Sequence, residues 1–200
     1  CTALDDIELE YLPAKAPGAA AVRAWNATVE AMRQLSPDVM QVILWLEGGR
    51  IAFYAGQYIN ILLEDGAKRS FSFATAPAVN DRIELHIRRI PGGRYTAHVF
   101  ERMRPGDRVR FEGPLGAFFL REDTEKPMIF VAGSTGFAPV KSMLEYAFGR
   151  GVKRRMILYW GVRRPADLYL RELPEKWARE HSNFGFVPVI SHPAPEDAWQ

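Results

Sequence analysis

The hydrophobic pattern changes character near residue 124, and that switch restricts the chain to two successive architectures. Before it, short stretches rich in β-branched and aromatic residues recur between glycines and prolines. Residues 28–35, 40–46, 58–63, 70–75, 83–90 and 108–112 all read as extended. Gly48-Gly49, Glu64-Asp65-Gly66 and Gly113-Pro114 mark turns between them. Many short strands at this spacing predict a closed antiparallel barrel. Val99, Phe100 and Met103 fall at helical spacing, so one helix is expected over residues 96–103. After the switch, Met128-Ile129-Phe130-Val131-Ala132 is a continuous apolar run, as expected of a strand buried on both faces. Phe137, Val140, Leu144 and Phe148 then share a helical face that stops at Gly149 or Gly151. A strand over 156–160, a helix over 171–180 and a strand over 184–190 follow. This alternation is half of a doubly wound parallel sheet, so the fold class is β followed by α/β.

Charge excludes one class of partner. The 200 residues hold 26 Lys plus Arg against 24 Asp plus Glu, a net charge of +2, which does not suggest a nucleic-acid binder. No apolar run approaches the roughly 20 residues of a membrane span. The single cysteine, Cys1, cannot form a disulfide within the chain, which fits a cytoplasmic location. Residues 5–10 read as a short alternating strand, and residues 11–20, rich in Ala, Pro and Gly, as a linker.

Four motifs carry chemistry. Arg69-Ser70-Phe71-Ser72 opens a barrel strand, where a guanidinium and two hydroxyls beside a ring suit a phosphate and a flat heterocycle. Read alone, the same residues equally describe an exposed strand with a core Phe. Pro91-Gly92-Gly93-Arg94-Tyr95-Thr96 is a Gly-rich turn running into a helix, an anion site in which Thr96 serves as N-cap or as a phosphate hydroxyl. A plain capped helix is its bland alternative. Gly133-Ser134-Thr135-Gly136 joins a buried strand to a helix and lets a backbone approach a pyrophosphate, although it lacks the GxGxxG spacing. Tyr159-Trp160-Gly161-Val162-Arg163 closes the second parallel strand, where ligands of open α/β sheets bind. Arg163 or Arg164 there either takes a nucleotide phosphate or is a solvated surface residue. The four histidines, His86, His98, His181 and His192, have no metal-ligand context, and no serine lies in a hydrolase elbow.

The order of these motifs, with Gly113-Pro114-Leu115-Gly116 between the second and third, resembles the ferredoxin–NADP reductase superfamily over residues 21–200. Glu84-Leu85-His86-Ile87-Arg88-Arg89 and Asp167-Leu168-Tyr169-Leu170 are similar to CDP-6-deoxy-hexulose dehydrase reductases. Reductase components of oxygenases, which carry a 2Fe–2S ferredoxin domain ahead of the flavin domain, are close relatives. The resemblance implies a six-stranded antiparallel Greek-key barrel for FAD over residues 21–122. It implies the N-terminal half of an NAD(P)-binding domain over 123–200, with 1–20 closing a preceding domain.

The implied activity is an NAD(P)H-dependent oxidoreductase that passes electrons from NADH or NADPH through FAD to an iron–sulfur centre or to an oxygenase or dehydrase partner. A free flavin or oxygenase reductase and a non-catalytic flavin-binding electron-transfer subunit are the rival readings, and a barrel that binds only protein partners is a third. The implied roles fall on individual residues. Arg69 contacts the flavin phosphate, Phe71 stacks on the ring where the family more often has Tyr, and Ser70 and Ser72 complete the motif. Ser72 approaches the flavin near N5, so that Phe71 and Ser72 are the catalytic pair. His86, Ile87 and Arg88 line the flavin edge or its phosphoribityl chain. Gly92, Gly93 and Thr96 meet the pyrophosphate, which favours FAD over FMN. Gly133, Thr135 and Gly136 face the nicotinamide nucleotide, with Arg163 and Ser191 on its adenosine or nicotinamide side. Cys1 is either the fourth cluster cysteine of a ferredoxin domain or its non-ligand neighbour. The Cys-Gly-Pro segment and C-terminal aromatic of many members are expected beyond Gln200.

Overall fold

A computed structural model describes residues 21–194; Cys1, the short strand and the linker expected over residues 1–20 lie outside these residues. Six strands come first: β1 (Arg23–Ser36), β2 (Val39–Leu46), β3 (Tyr58–Leu62), β4 (Lys68–Ser72), β5 (Arg82–Arg88) and β6 (Arg108–Leu115), with helix α1 (Arg94–Glu101) between the last two. They pair antiparallel in the order β4-β3-β6-β1-β2-β5. The outer strands meet where the Ala74 N–H donates to the Glu84 carbonyl at 2.8 Å, which brings the sheet round as a barrel.

Alternation fills the barrel. Trp25, Ala27 and Val29 of β1 point inward, as do Val42, Leu44 and Leu46 of β2 and Ile83, Leu85 and Ile87 of β5. Phe53 and Phe73 stack at 4.0 Å in the same core. Each such large side chain contributes about 1.5–3 kcal/mol by leaving water.

The second half holds β7 (Met128–Gly133), a 3-10 turn (Ser134–Gly136), α2 (Phe137–Gly149), β8 (Met156–Val162), α3 (Glu172–Glu180) and β9 (Phe184–Ile190). The strands run parallel in the order β7-β8-β9. The two halves share packing: Val39 and Ala55 of the barrel belong to the same apolar cluster as Phe137, Trp160 and Met143. Gly56, at φ +107, permits this approach, because a Cβ there would lie 2.1 Å from Met143 Cε and 2.6 Å from the Phe118 carbonyl.

Four expectations need correction. β1 runs well beyond residues 28–35, because its first half pairs with β6 and its second with β2, with register shifts at Val29/Ala31 and Gln34/Ser36. β4 covers Lys68–Ser72 rather than 70–75, since the Phe73 N–H turns away to the Gln57 carbonyl. Helix α1 starts at Arg94 with Gly93 as N-cap, so Thr96 is not the cap. Its hydroxyl instead takes the Ile90 N–H and donates to the Gly93 carbonyl, both at 3.1 Å. Finally, among the described residues only one face of β7 is covered: Ile129 is 68% and Val131 77% exposed. α2 packs against the face bearing Phe130 and Ala132, and strand alternation turns the other residues to solvent.

Candidate functional site

Arg69 and Phe71 stand two residues apart on β4, on one face of the strand. Ile59 of β3 pairs with Phe71 and holds its register. The Phe71 ring leans on Tyr95 of α1, 5.8 Å between centroids at 40°, and stays half-buried with a face left for a ligand. Ser70 is turned to β3, where its hydroxyl donates to Asn60 Oδ1 at 2.7 Å. Gly93 delivers the chain to the N-terminus of α1. A Cβ there would lie 2.7 Å from Thr96 Oγ1 and 3.0 Å from the Ile90 carbonyl. Only glycine fits so tight a turn, which sets the start of α1 at the cleft, where helical amides suit an anion. These residues line one cleft of about 340 Å³, and Thr135 of the nucleotide turn lines it with them.

A second cavity of about 310 Å³ opens at the carboxyl ends of the three parallel strands. Gly133, Ser134, Gly161, Arg163 and Ser191 line it. Ser134 takes φ +48, and its carbonyl accepts the indole N–H of Trp160 at 2.9 Å, which fixes the turn. Arg88 lines both cavities and pairs with Asp38 at 2.8 Å, so the two clefts share a wall. Arg164 stays out of the cavity; its backbone N–H donates to Asp167 at 3.0 Å.

Of the residues expected at the flavin, Arg69, Ser70, Phe71, His86, Arg88, Gly93 and Thr96 come together, with Thr135 opposite. Ser72, Gly92 and Gly136 lie outside the lining of both cavities. Ile87 points into the barrel core and His86 turns its ring away into protein, so each meets the cleft with main chain at most. Strand alternation explains both positions.

His86 belongs instead to a buried polar cluster. Its Nε2 lies 2.7 Å from Glu84 Oε1 and its Nδ1 3.0 Å from the Tyr169 hydroxyl. Burial pushes the Glu84 carboxyl up, but the His86 hydrogen bond and the Lys141 ammonium outweigh it and hold the group at about 2. Burial depresses the imidazole below its usual value despite the Glu84 contact. Tyr95, Ser134, Asp38, Glu84, Lys141 and Tyr169 were not singled out from sequence as site residues. Lys141 carries one visible signal, since it stands four residues after Phe137 on the apolar side of α2.

The family described as oxidoreductase FAD-binding domain matches residues 26–120, and oxidoreductase NAD-binding domain matches residues 130–200. The chain belongs to the ferredoxin–NADP reductase superfamily. The barrel of this superfamily member is thus its FAD-binding part and the parallel sheet its NAD-binding part. It is 38% identical over 192 residues to terephthalate 1,2-dioxygenase, reductase component 1, of Comamonas sp., covering 96% of this chain and 57% of that one. It is 41% identical over 142 residues to CDP-6-deoxy-L-threo-D-glycero-4-hexulose-3-dehydrase reductase of Yersinia pestis, covering 71% and 42%. The crystal structure of Amycolatopsis cytochrome P450 reductase GcoB superposes with a TM-score of 0.83 at 38% identity, over 89% of this chain and 55% of that one. The chain spans about half the length of the relatives it matches. Among the described residues, no helix is long and apolar enough to cross a membrane, and no group of three His, Cys, Asp or Glu could hold a metal ion.

Proposed function

We propose that the protein is the flavin- and nicotinamide-binding part of a reductase that takes electrons from NADH or NADPH through FAD to an iron–sulfur centre or partner protein. The observation that carries this reading is that Phe71 and Thr135, from opposite halves of the chain, line one cleft. When bound, FAD supplies the two-electron to one-electron conversion, and the protein's share is binding, orientation and electrostatics.

The residues fit that group. Arg69 offers a bidentate partner to a phosphate, and the α1 amides behind Gly93 offer a second. Gly93 makes the tight turn that sets these amides at the cleft, since a Cβ there would press on Thr96 Oγ1 and the Ile90 carbonyl. Phe71 presents a stacking face, and Thr96 supports the Gly93 turn through its hydroxyl. Ser70 braces the strand through Asn60, and Ser72 ends it beside the stacking residue. Gly92 makes the turn, His86 and Ile87 contribute main chain, and Arg88 spans both ligands. Gly133, Thr135 and Gly136 admit the nicotinamide nucleotide, with Arg163 and Ser191 at its far side.

This assignment divides the chain into a FAD-binding barrel over 21–122 and an NAD(P)-binding unit over 123–200. The names of the Comamonas and Yersinia relatives favour an oxygenase or dehydrase system as the electron acceptor. The lone cysteine favours the cytoplasm. The test is an absorption spectrum of the purified full-length protein, with cofactor extraction, before and after anaerobic NADH or NADPH. FAD that bleaches on addition supports the reading; a colourless, folded protein or an unbleached flavin refutes it.

A further inference from the structure

Lys141 is a buried ammonium in a helix whose other buried side chains, Ser142 apart, are apolar. Such a charge costs several kcal/mol unless it is fully partnered. Here three acceptors use its three protons: the Ala74 carbonyl, Glu84 Oε2 and Glu145 Oε1, each at 3.0 Å. Neighbouring Ser142 donates to the Thr75 carbonyl. Both carbonyls lie just past β4, where that strand has left its ladder, so α2 of the nucleotide half seals the seam of the barrel.

The network has a direction. Glu84 Oε1 accepts from Gln41 Nε2 and lies against His86 Nε2, each at 2.7 Å, so the imidazole proton sits on Nε2. His86 Nδ1 is then an acceptor, and the Tyr169 hydroxyl donates to it at 3.0 Å. The Tyr169 ring stands edge-on to Trp160, 5.2 Å between centroids at 84°. Trp160 in turn holds the Ser134 carbonyl. An unbroken series of contacts therefore runs from β5, which lines the flavin cleft, to the turn that bears Thr135.

We propose that Tyr169 and Lys141 are positioning residues: through His86 and Glu84 they set where the Ser134–Gly136 turn stands relative to Phe71, and so the approach of the nicotinamide to the flavin. This rests on the reductase reading above. Neither residue lines either ligand cavity, so a defect in them acts on alignment rather than on ligand contacts.

The test uses the full-length protein with Tyr169→Phe, which removes only the hydroxyl, and with Lys141→Met and Lys141→Arg. Hydrogen exchange at the amides of residues 134–136 is measured without added cofactor, and flavin reduction by saturating NADH is measured by stopped flow. The proposal expects exchange in Tyr169→Phe to quicken about tenfold, and reduction to slow about tenfold at unchanged FAD content and NADH affinity. Lys141→Met does the same and Lys141→Arg restores most of the rate. Exchange and reduction within about twofold of the parent in Tyr169→Phe overturn it, as does slowing that merely tracks lost FAD. Should Lys141→Met fail to fold, Tyr169→Phe decides alone. A parent protein that holds no flavin defeats the reductase reading, and the exchange measurement still decides this proposal.

Discussion

At the scale of single residues, the site depends on the face that Phe71 leaves open and on the tight turn that Gly93 makes. Phe71 offers a stacking face, and aromatic stacking contributes about 0.5–1.5 kcal/mol beyond area burial. Phe71→Ala is therefore expected to weaken FAD binding about tenfold, and Phe71→Tyr to leave it nearly unchanged, in a flavin-fluorescence titration. At Gly93, even one methyl would press on Thr96 Oγ1 and the Ile90 carbonyl. Gly93→Ala is expected to destabilise the protein by about 1–3 kcal/mol in urea unfolding and to lower FAD affinity. Glu84 ties this scale to pH. Its carboxyl is held at about 2 in the folded protein against 4.5 for the free group. Its stabilisation is thus fully present above about pH 5 and is lost as pH falls towards about 2. His86 adds to the loss from below about pH 6.5, because the unfolded imidazole takes up a proton that the buried one resists. The urea midpoint should fall through this range, with a shallower fall in Glu84→Gln.

At the scale of elements, strands were legible and their ends were not. The alternation of β2 and β5 marks both the strand and its inward face, and Leu44, Leu85 and Ile87 are core as that alternation requires. The start of α1 was misplaced because Thr96 has the chemistry of an N-cap, whereas Gly93 holds that position with no side chain to show it. β7 misled in another way. A run apolar at every position is the signature of two covered faces, yet among the described residues only the face bearing Met128, Phe130 and Ala132 is covered. Ile129, Val131, Val187 and Val189 form an exposed apolar patch on the sheet. A chain of residues 1–200 is expected to bind a hydrophobic dye at this patch. Val131→Glu should reduce dye fluorescence without lowering Tm. The cleft itself was readable at Arg69, Phe71, Gly93 and Thr135, whose residue types announce phosphate and ring binding. Lys141, Glu84 and Tyr169 were not, because their meaning comes only from contacts between residues far apart in sequence, which no local spacing reveals.

At the scale of the whole molecule, function resides in the junction. Neither half alone encloses the cleft: the barrel supplies Arg69, Phe71 and Gly93, and the parallel sheet supplies Thr135. Arg88 then joins that cleft to the cavity at the strand ends. The halves keep their relation through shared apolar packing at Gly56 and Met143 and through the buried Lys141 cluster. Loosening the first contact tests this. Gly56→Ala, strained by its positive φ and its crowding, should lower Tm and slow flavin reduction together. The most direct measurement is a crystal structure with FAD bound. Density for the flavin ring is expected against Phe71 with its open side towards Thr135, and density for that ring anywhere else rules out the shared cleft as its site.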